Sequence, residues 1–318
     1  MAAAITHPRE LLAALGLDQG LLPAAQTAAK RFPMLVPRGY AALMKEGDRD
    51  DPLLRQVLPV AAELQQPGGF STDPTGDRQA LCAQGILKKY PNRALLVVTG
   101  ACAIHCRYCF RRHFAYERNA MVHDRNRAAV KHLATDVEVS EVILSGGDPL
   151  MIDDEGFSAL VRTIEASSHV KRLRLHTRLP VVLPSRITER LCRTLTDTRV
   201  PVVLVTHVNH AHELGADARA ALDLLRGTGS VLLNQSVLLR GVNDSAATLA
   251  ELSEALFESG VLPYYLHLLD KVTGAAHFEV AAEEGAELVT QLRARLPGYL
   301  VPRLVEEVPG AAFKRPVY

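Results

Sequence analysis

The chain has 318 residues, of which 48% are hydrophobic and 22% charged, and its 36 basic and 35 acidic side chains leave a net charge of +1. This composition is typical of a soluble globular protein and excludes intrinsic disorder and collagen-like structure. The small net charge gives no reason to expect nucleic acid or a membrane surface as a partner. No apolar run approaches the roughly 18 residues of a membrane-spanning helix, and the N-terminus lacks a signal-peptide pattern. We therefore expect a cytoplasmic protein.

Short helices broken by proline and glycine are predicted for the first part of the chain. Helical spacing of apolar residues covers 9–15, 21–30 and 53–64. We therefore place a helical N-terminal region at 1–92, an alternating core at 93–297 and a short C-terminal segment at 298–318.

The core alternates short β-rich runs with amphipathic helical stretches. The predicted strands are 94–98, 141–144, 172–176, 201–205, 231–234 and 264–267. The predicted helices are 119–133, 156–165, 185–195, 211–225, 245–258 and 281–296. This alternation predicts an α/β fold with six parallel β/α units, either a partial (β/α)6 barrel or an open doubly wound sheet.

Polar residues follow each predicted strand, where parallel β/α folds place their chemistry. They are the cysteines at 102, 106 and 109, the segment 145–148, His176 and Arg178, His207 and Asn209, Asn234 and Gln235, and His267 and Asp270. A solvated rim would contain more Lys and Glu, so we predict one functional site at this edge of the sheet.

Three of the five cysteines lie within eight residues. Cys102, Cys106 and Cys109 have the spacing C-x3-C-x2-C. Thiolates are the preferred ligands of iron–sulfur clusters, and three of them leave one iron of a cubane without a protein ligand. An open metal position is typical of a catalytic site.

A zinc site that adds His105 or His113 is the alternative interpretation of this loop. Structural zinc ligands usually come as two separated pairs, which the loop does not resemble. The other two cysteines, Cys82 and Cys192, lie far from the motif, and we expect them to be buried as small hydrophobic side chains.

The cysteine spacing resembles that of the radical S-adenosylmethionine (SAM) enzymes. The resemblance implies that the three cysteines hold a [4Fe-4S] cluster whose open iron binds SAM. The turn at Gly146, Gly147 and Asp148 resembles the glycine-rich turn of that family, which contacts the methionine part of SAM. His207 and Gln235 match two further SAM-contacting positions.

A narrower resemblance is to the lysine 2,3-aminomutase family. It is carried, in order, by the segments 89–93, 111–114, 144–150, 234–244, 263–270 and 309–314. Within the family, the compact chain is most similar to the branch that makes β-lysine for the modification of elongation factor P.

The same resemblance implies that pyridoxal 5′-phosphate (PLP) is held as a Schiff base by Lys314. Without the resemblance, a lysine so near the chain end would be interpreted as a solvated charge. Tyr90 would stack on the pyridine ring, and Arg93, helped by Lys89, would bind the phosphate.

The implied substrate contacts come from three charged residues. Arg111 would bind the substrate carboxylate, and Asp270 and Glu307 would bind the distal ammonium. Glu307 stands where the family usually has Asp, and its neighbour Glu306 leaves the choice between them open. His267 replaces a tyrosine common in the family, and no role is assigned to it.

The implied reaction is radical migration of the amino group of L-lysine from the α- to the β-carbon, with SAM as the radical source and PLP as the carrier. The implied partners are L-lysine, a reductant such as flavodoxin or ferredoxin, and an elongation factor P ligase that uses the product. A homo-oligomer is left open. Two other classes remain alternatives, a PLP-independent radical SAM enzyme and a non-catalytic metal-binding module.

Overall fold

Ten β-strands form one continuous sheet in the computed structural model, which describes residues 4–119 and 132–318. Their bounds are β1 Leu81–Ala83, β2 Ile86–Leu87, β3 Arg93–Thr99, β4 Glu141–Gly146, β5 Arg172–Thr177, β6 Val202–Thr206, β7 Val231–Val237, β8 Leu262–His267, β9 Arg303–Glu306 and β10 Arg315–Pro316. All six predicted strands are confirmed, as β3 to β8.

The order of the strands across the sheet is the same as their order along the chain. Strands β3 to β9 are parallel to one another, whereas β1 and β2 at one edge and β10 at the other edge pair in antiparallel fashion. A doubly wound sheet reverses its order at a switch point, and this sheet has no reversal. The partial barrel is therefore confirmed, and the sheet remains open between β1 and β10.

Helices connect the parallel strands and build the N-terminal region. The described α-helices are α1 Pro8–Ala14, α2 Leu22–Arg31, α3 Arg38–Ala41, α4 Pro52–Arg55, α5 Asp77–Ala80, α6 Tyr116–Asn119, α7 Asp154–Glu165, α8 Leu179–Val182, α9 Glu189–Asp197, α10 Ala216–Arg226, α11 Ala246–Glu258 and α12 Ala282–Arg295. The helix predicted at 119–133 lies largely outside the described residues. Of the helices that the structure describes, none is long and apolar enough to cross a membrane.

Three helix predictions were wrong in extent. The stretch predicted at 53–64 divides into α4 and a 3-10 turn at Ala61–Leu64, because Pro59 lacks the backbone N–H that a continuing helix needs. The helix predicted from 185 begins at Glu189, where the Thr188 hydroxyl accepts from the Leu191 backbone N–H at 3.0 Å. The helix predicted from 211 begins at Ala216, after a separate 3-10 turn.

The N-terminal helices share one hydrophobic core with the barrel. Leu11, Tyr40 and Leu53 of the N-terminal region belong to the same buried cluster as Leu96 of β3 and Leu144 of β4. Burial of apolar side chains is the main stabilising contribution here, at about 25 cal/mol per Å². The N-terminal region is therefore packed against the strands that precede the candidate site.

A buried arginine also attaches the segment of Cys102, Cys106 and Cys109, which we call the cysteine loop, to the N-terminal region. The Arg107 side chain is completely buried, and its Nε and Nη2 donate to the two carboxylate oxygens of Glu63 at 2.8 and 2.6 Å. Its Nη1 donates to the backbone carbonyls of Phe32 and Pro33. Every charge in this group has a partner, so the loop has a fixed position on the N-terminal region.

We predict that Arg107→Met lowers the free energy of unfolding by about 2–4 kcal/mol, because it removes two charge-assisted hydrogen bonds from the buried Glu63 carboxylate and leaves Arg112 as its ion-pair partner. Urea unfolding followed by circular dichroism measures the change. Arg226→Met is the matched control, since Arg226 and Asp223 form an exposed pair, and its expected effect is below about 0.5 kcal/mol. Equal effects of the two substitutions would contradict the assignment.

Candidate functional site

Five charged side chains from five separate segments form an alternating chain of ion pairs, which we call the charge chain. Lys314 Nζ lies 2.5 Å from Glu307 Oε2, and Glu307 Oε1 lies 3.6 Å from Lys89 Nζ. Lys89 Nζ lies 2.6 Å from Asp77 Oδ1, and Asp77 Oδ2 lies 2.6 Å from Arg111 Nε. The chain brings together Lys314, Glu307 and Arg111, which the sequence placed in one site.

Asp77 in the charge chain was missed by the sequence analysis. Burial alone would raise the pKa of this carboxyl group, but the charges of Arg111 and Lys89 outweigh burial and lower it. Asp77 is therefore an anion held between two cations. Its place at the start of a four-residue helix outside the barrel gave no sequence signal for such a role.

Tyr90 lies beside the charge chain, with Arg93 against its ring. The Tyr90 hydroxyl donates to Glu307 Oε1 at 2.7 Å, and the Arg93 guanidinium carbon lies 5.6 Å from the Tyr90 ring centroid. The Arg93 side chain is 45% exposed, and its Nε lies 3.6 Å from Glu141.

Arg174, two residues before His176 on β5, binds the same Glu141 carboxylate at 2.6 Å. The strand alternation that places Arg174 and His176 on one face could have identified this additional cation.

Asp270 is the second acidic residue expected near the substrate ammonium. Burial raises the pKa of Asp270 to about 7; the nearby Lys314 ammonium opposes this shift, and Glu307 adds to it. Asp270 therefore lies within electrostatic range of the charge chain. Glu306 instead pairs with Arg315 at the sheet edge, at 2.5 Å, so it is Glu307 that belongs to the charge chain.

The cysteine loop follows β3 and contains three thiols in partly buried positions. Burial raises the pKa of Cys109 to about 11, with Cys106 adding to the shift, and burial likewise raises the pKa of Cys102 well above its ordinary value. Iron must therefore displace protons when a cluster binds here. Cys106 Sγ accepts a hydrogen bond from Nη1 of Arg178 at 2.7 Å, a contact suited to a thiolate.

The two histidines of the alternative zinc site bind elsewhere. The His105 ring stacks on Phe32, and its Nδ1 lies 2.9 Å from the Pro33 carbonyl oxygen. His113 Nε2 lies 3.2 Å from the Thr273 carbonyl oxygen. Within the described part of the chain, no three His, Cys, Asp or Glu side chains surround a single-ion position.

The prediction that Cys82 and Cys192 are both buried was wrong. Cys82 is exposed, because it lies on the edge strand β1 with its side chain directed outward. Cys192 is half-buried and packs against the main core.

The turn after β4 is held against the start of the cysteine loop by backbone contacts. The Gly147 N–H donates to the Thr99 carbonyl at 2.7 Å, and the Asp148 N–H donates to the Ala101 carbonyl at 2.8 Å. Gly146 has a φ of +129°, and a Cβ on Gly147 would lie 2.3 Å from the Ala101 carbonyl oxygen. The two glycines are therefore required for this close approach.

The Asp148 carboxylate accepts hydrogen bonds from groups within the protein. It accepts from the Thr177 hydroxyl at 2.8 and 2.9 Å, from the Arg178 backbone N–H at 2.8 Å and from the Leu150 backbone N–H at 3.1 Å. Burial raises the pKa of Asp148 to about 6, and these hydrogen bonds oppose the shift. The carboxylate fixes the geometry of the turn.

His207 and Gln235, from the loop after β6 and from β7, contact each other. Gln235 Nε2 lies 2.8 Å from His207 Nε2 and 3.4 Å from His176 Nδ1. Burial lowers the pKa of His207 to about 3, with a further contribution from Arg178, and burial lowers the pKa of His176 and His267 well below the ordinary value. These three imidazoles are therefore neutral at neutral pH.

The chain is similar to known proteins over its whole length. A sequence profile of the radical SAM superfamily matches residues 96–252. The L-lysine 2,3-aminomutase of Escherichia coli (strain K12) is 48% identical over 318 residues, which is 100% of this chain and 93% of that protein. The chain belongs to the lysine 2,3-aminomutase family.

Other members of the lysine 2,3-aminomutase family also match most of the chain. The L-lysine 2,3-aminomutase of Haemophilus influenzae is 45% identical over 96% of this chain and 91% of that protein. The Clostridium subterminale protein of the same name is 36% identical over 91% of this chain and 69% of that protein.

Solved structures share the fold of this lysine 2,3-aminomutase family member. Streptococcus suis SuiB bound to S-adenosylmethionine has a TM-score of 0.51 and 15% identity, covering 69% of this chain and 51% of that chain. A radical SAM methyltransferase from Sphaerobacter thermophilus has a TM-score of 0.51 and 21% identity, covering 70% and 68%. The three thiols therefore lie on a radical SAM scaffold and are the residues that could hold its [4Fe-4S] cluster.

We predict that Gly147→Ala displaces the turn after β4, because the added Cβ would overlap a backbone carbonyl that cannot move aside. The expected cost is about 1–3 kcal/mol of unfolding free energy, together with weaker SAM binding. Thermal unfolding and equilibrium dialysis with SAM measure the two effects. Gly298→Ala, which has no atom within 4 Å of its added Cβ, is the control and should leave both unchanged. Normal SAM binding by Gly147→Ala would refute this role of the turn.

Proposed function

We propose that this protein converts L-lysine to β-lysine, using a [4Fe-4S] cluster, SAM and PLP. The observation that carries the proposal is the charge chain, which joins the Lys314 amine to Arg111 of the cysteine loop through Glu307, Lys89 and Asp77. The parts expected to hold PLP, the substrate and the cluster thus lie in one connected site.

The residues around Lys314 fit PLP in their chemistry. Lys314 offers a primary amine, Tyr90 offers an aromatic face, and Arg93 and Lys89 offer cations for a phosphate. His267 has a buried Nε2 without a hydrogen-bond partner among the described residues, which fits a polar group bound in this space. When bound, PLP supplies the conjugated system that stabilises an unpaired electron during amino migration.

The charges expected to contact the substrate favour a diamino acid. Arg111 is a buried cation suited to an α-carboxylate, whereas Glu307 and Asp270 are acidic groups suited to a distal ammonium. The ammoniums of Lys314 and Lys89 hold the pKa of Glu307 below its ordinary value against the opposing effect of burial. A substrate with a distal carboxylate would meet like charge at this position.

Glu307 contacts the Lys314 amine, and three buried imidazoles lie within its electrostatic range. Lys314 Nζ donates to Glu307 Oε2 at 2.5 Å, so this contact must open and Lys314 must lose a proton before its amine can act as a nucleophile. The neutral imidazoles of His176, His207 and His267 add no positive charge beside a cationic substrate, and each can donate one hydrogen bond and accept one. We also propose that the electron comes from a flavodoxin or ferredoxin and that the product serves an elongation factor P ligase, on the sequence resemblance alone.

The test of the PLP assignment is Lys314→Ala. We expect this variant to retain no PLP after gel filtration and to form no β-lysine, because the covalent anchor is lost. Borohydride reduction and peptide mass spectrometry of the unsubstituted protein should find the pyridoxyl group on Lys314. Lys45→Ala removes an exposed lysine and should behave as the unsubstituted protein does.

Two results would overturn this part of the proposal. One is full PLP retention and turnover by Lys314→Ala. The other is SAM cleavage by the unsubstituted protein without PLP binding or β-lysine formation, which would favour a PLP-independent radical SAM enzyme.

The pH dependence of lysine binding tests Asp270. With a pKa near 7, the Asp270 carboxyl is mostly neutral at pH 6 and mostly charged at pH 8, so the attraction for the substrate ammonium increases as pH rises. We expect the KM for L-lysine to fall up to about tenfold between pH 6 and pH 8, following the charged fraction. Asp270→Asn should lose this part of the pH dependence and Glu306→Gln should keep it. A KM profile that is the same in Asp270→Asn and the unsubstituted protein would contradict the role.

A further inference from the structure

Arg178 is a buried cation that touches the cysteine loop. Its side chain is 7% exposed, and its Nη1 lies 2.7 Å from Cys106 Sγ. Its Nη2 donates to Glu213 Oε2 at 2.7 Å. The guanidinium therefore lies between an expected cluster ligand on one side and a buried carboxylate on the other.

The position of this guanidinium is fixed by further contacts. Its Nη2 also donates to Gln56 Oε1 at 2.7 Å and lies 3.1 Å from the Tyr40 hydroxyl. Glu213 Oε1 in turn accepts from the Asn209 backbone N–H at 2.9 Å and from Gln56 Nε2 at 3.1 Å. A buried arginine held by several partners has little freedom to leave the sulfur.

Arg178 also connects the cysteine loop to the turn after β4. Its backbone N–H donates to Asp148 Oδ2 at 2.8 Å, and the Thr177 hydroxyl before it donates to the same carboxylate. One residue at the end of β5 thus contacts both loops of the expected cluster and SAM site. Both members of the Glu213–Arg178 ion pair are buried, so the Glu213 carboxylate balances the charge of Arg178 in place of solvent.

We propose that Arg178 is a positioning residue that raises the reduction potential of the cluster by donating a hydrogen bond to the Cys106 sulfur. The inference rests on the proposed function only in requiring that the three cysteines hold the cluster. Reduction adds one electron, supplied by an external low-potential donor, and no bond to Arg178 forms or breaks. The added negative charge is stabilised by a nearby donor and cation more than the oxidised cluster is, so reduction becomes more favourable.

The N-terminal region takes part in this effect. Tyr40 and Gln56 belong to that region, and both contact the guanidinium that touches Cys106. Packing of the N-terminal helices against the barrel therefore has two effects. It buries the apolar core, and it helps to determine the direction in which the Arg178 guanidinium points.

The test is a redox titration of the anaerobically reconstituted full-length protein, without PLP and lysine, followed by the electron paramagnetic resonance signal of the reduced cluster. Arg178→Gln should lower the ratio of reduced to oxidised cluster at a fixed potential about tenfold, which is about 59 mV for one electron. Arg178→Lys keeps the charge but not the planar fork, and should give a smaller shift in the same direction. Arg240→Gln, at an exposed pair with Glu284, is the control and should give no shift.

Glu213→Gln separates electrostatic tuning from structural damage. It removes the charge that offsets Arg178, so the proposal expects a shift of the potential upward, opposite to that of Arg178→Gln. A purely structural role would lower cluster content in both variants and give no opposite shifts. Iron and sulfide content per chain and thermal unfolding are measured on each variant.

The outcomes separate this inference from the proposed function. Opposite shifts in Arg178→Gln and Glu213→Gln support the inference. Unchanged potentials, or shifts in the same direction, in protein with full cluster content overturn it while leaving the proposed function intact. If Arg178→Gln does not assemble a cluster, Arg178→Lys and Glu213→Gln decide by the same signs. Absence of any cluster in the unsubstituted protein would instead refute the proposed function.

Discussion

The alternating ion pairs of the charge chain are the interaction on which the arrangement of the site depends. A buried charge without a partner is costly, so each member of the chain fixes the next one. Asp77 holds Arg111 beside the cysteine loop, and Glu307 holds Lys314 near the C-terminus. Segments far apart in sequence are thereby held around one space, between the two edges of a sheet whose described strands do not pair to close it.

The two sides of this space are built from different kinds of groups. Towards the cysteine loop, backbone contacts between the turn at Gly147 and the segment at Thr99 and Ala101 give a rigid surface. Towards the C-terminal strands, the polar side chains include the charged groups of Lys314, Glu307 and Asp270 and neutral imidazoles. A cofactor and a substrate with charged ends fit the second side, and a cluster held by thiolates fits the first.

The sequence predicted what depends on local patterns. Alternating apolar runs predicted β3 to β8, and the spacing of Cys102, Cys106 and Cys109 indicated a cluster, since neighbours along the chain determine both. The sequence could not predict the position of Asp77 between two cations or the contact of Arg178 with Cys106. Both depend on segments that meet only in the folded chain. The division of the predicted helix at Pro59 was, by contrast, a local signal, and the role of Lys314 came from family resemblance.

We propose that the amino nitrogen of lysine moves from the α- to the β-carbon within this one site. The most direct test is anaerobic turnover of L-lysine labelled with nitrogen-15 at the α-amino group, with the protein fully loaded with iron, sulfide, SAM and PLP. Nuclear magnetic resonance of the product should show the label bonded to the β-carbon of β-lysine. Cleavage of SAM with the label still on the α-carbon of unchanged lysine would contradict the claim.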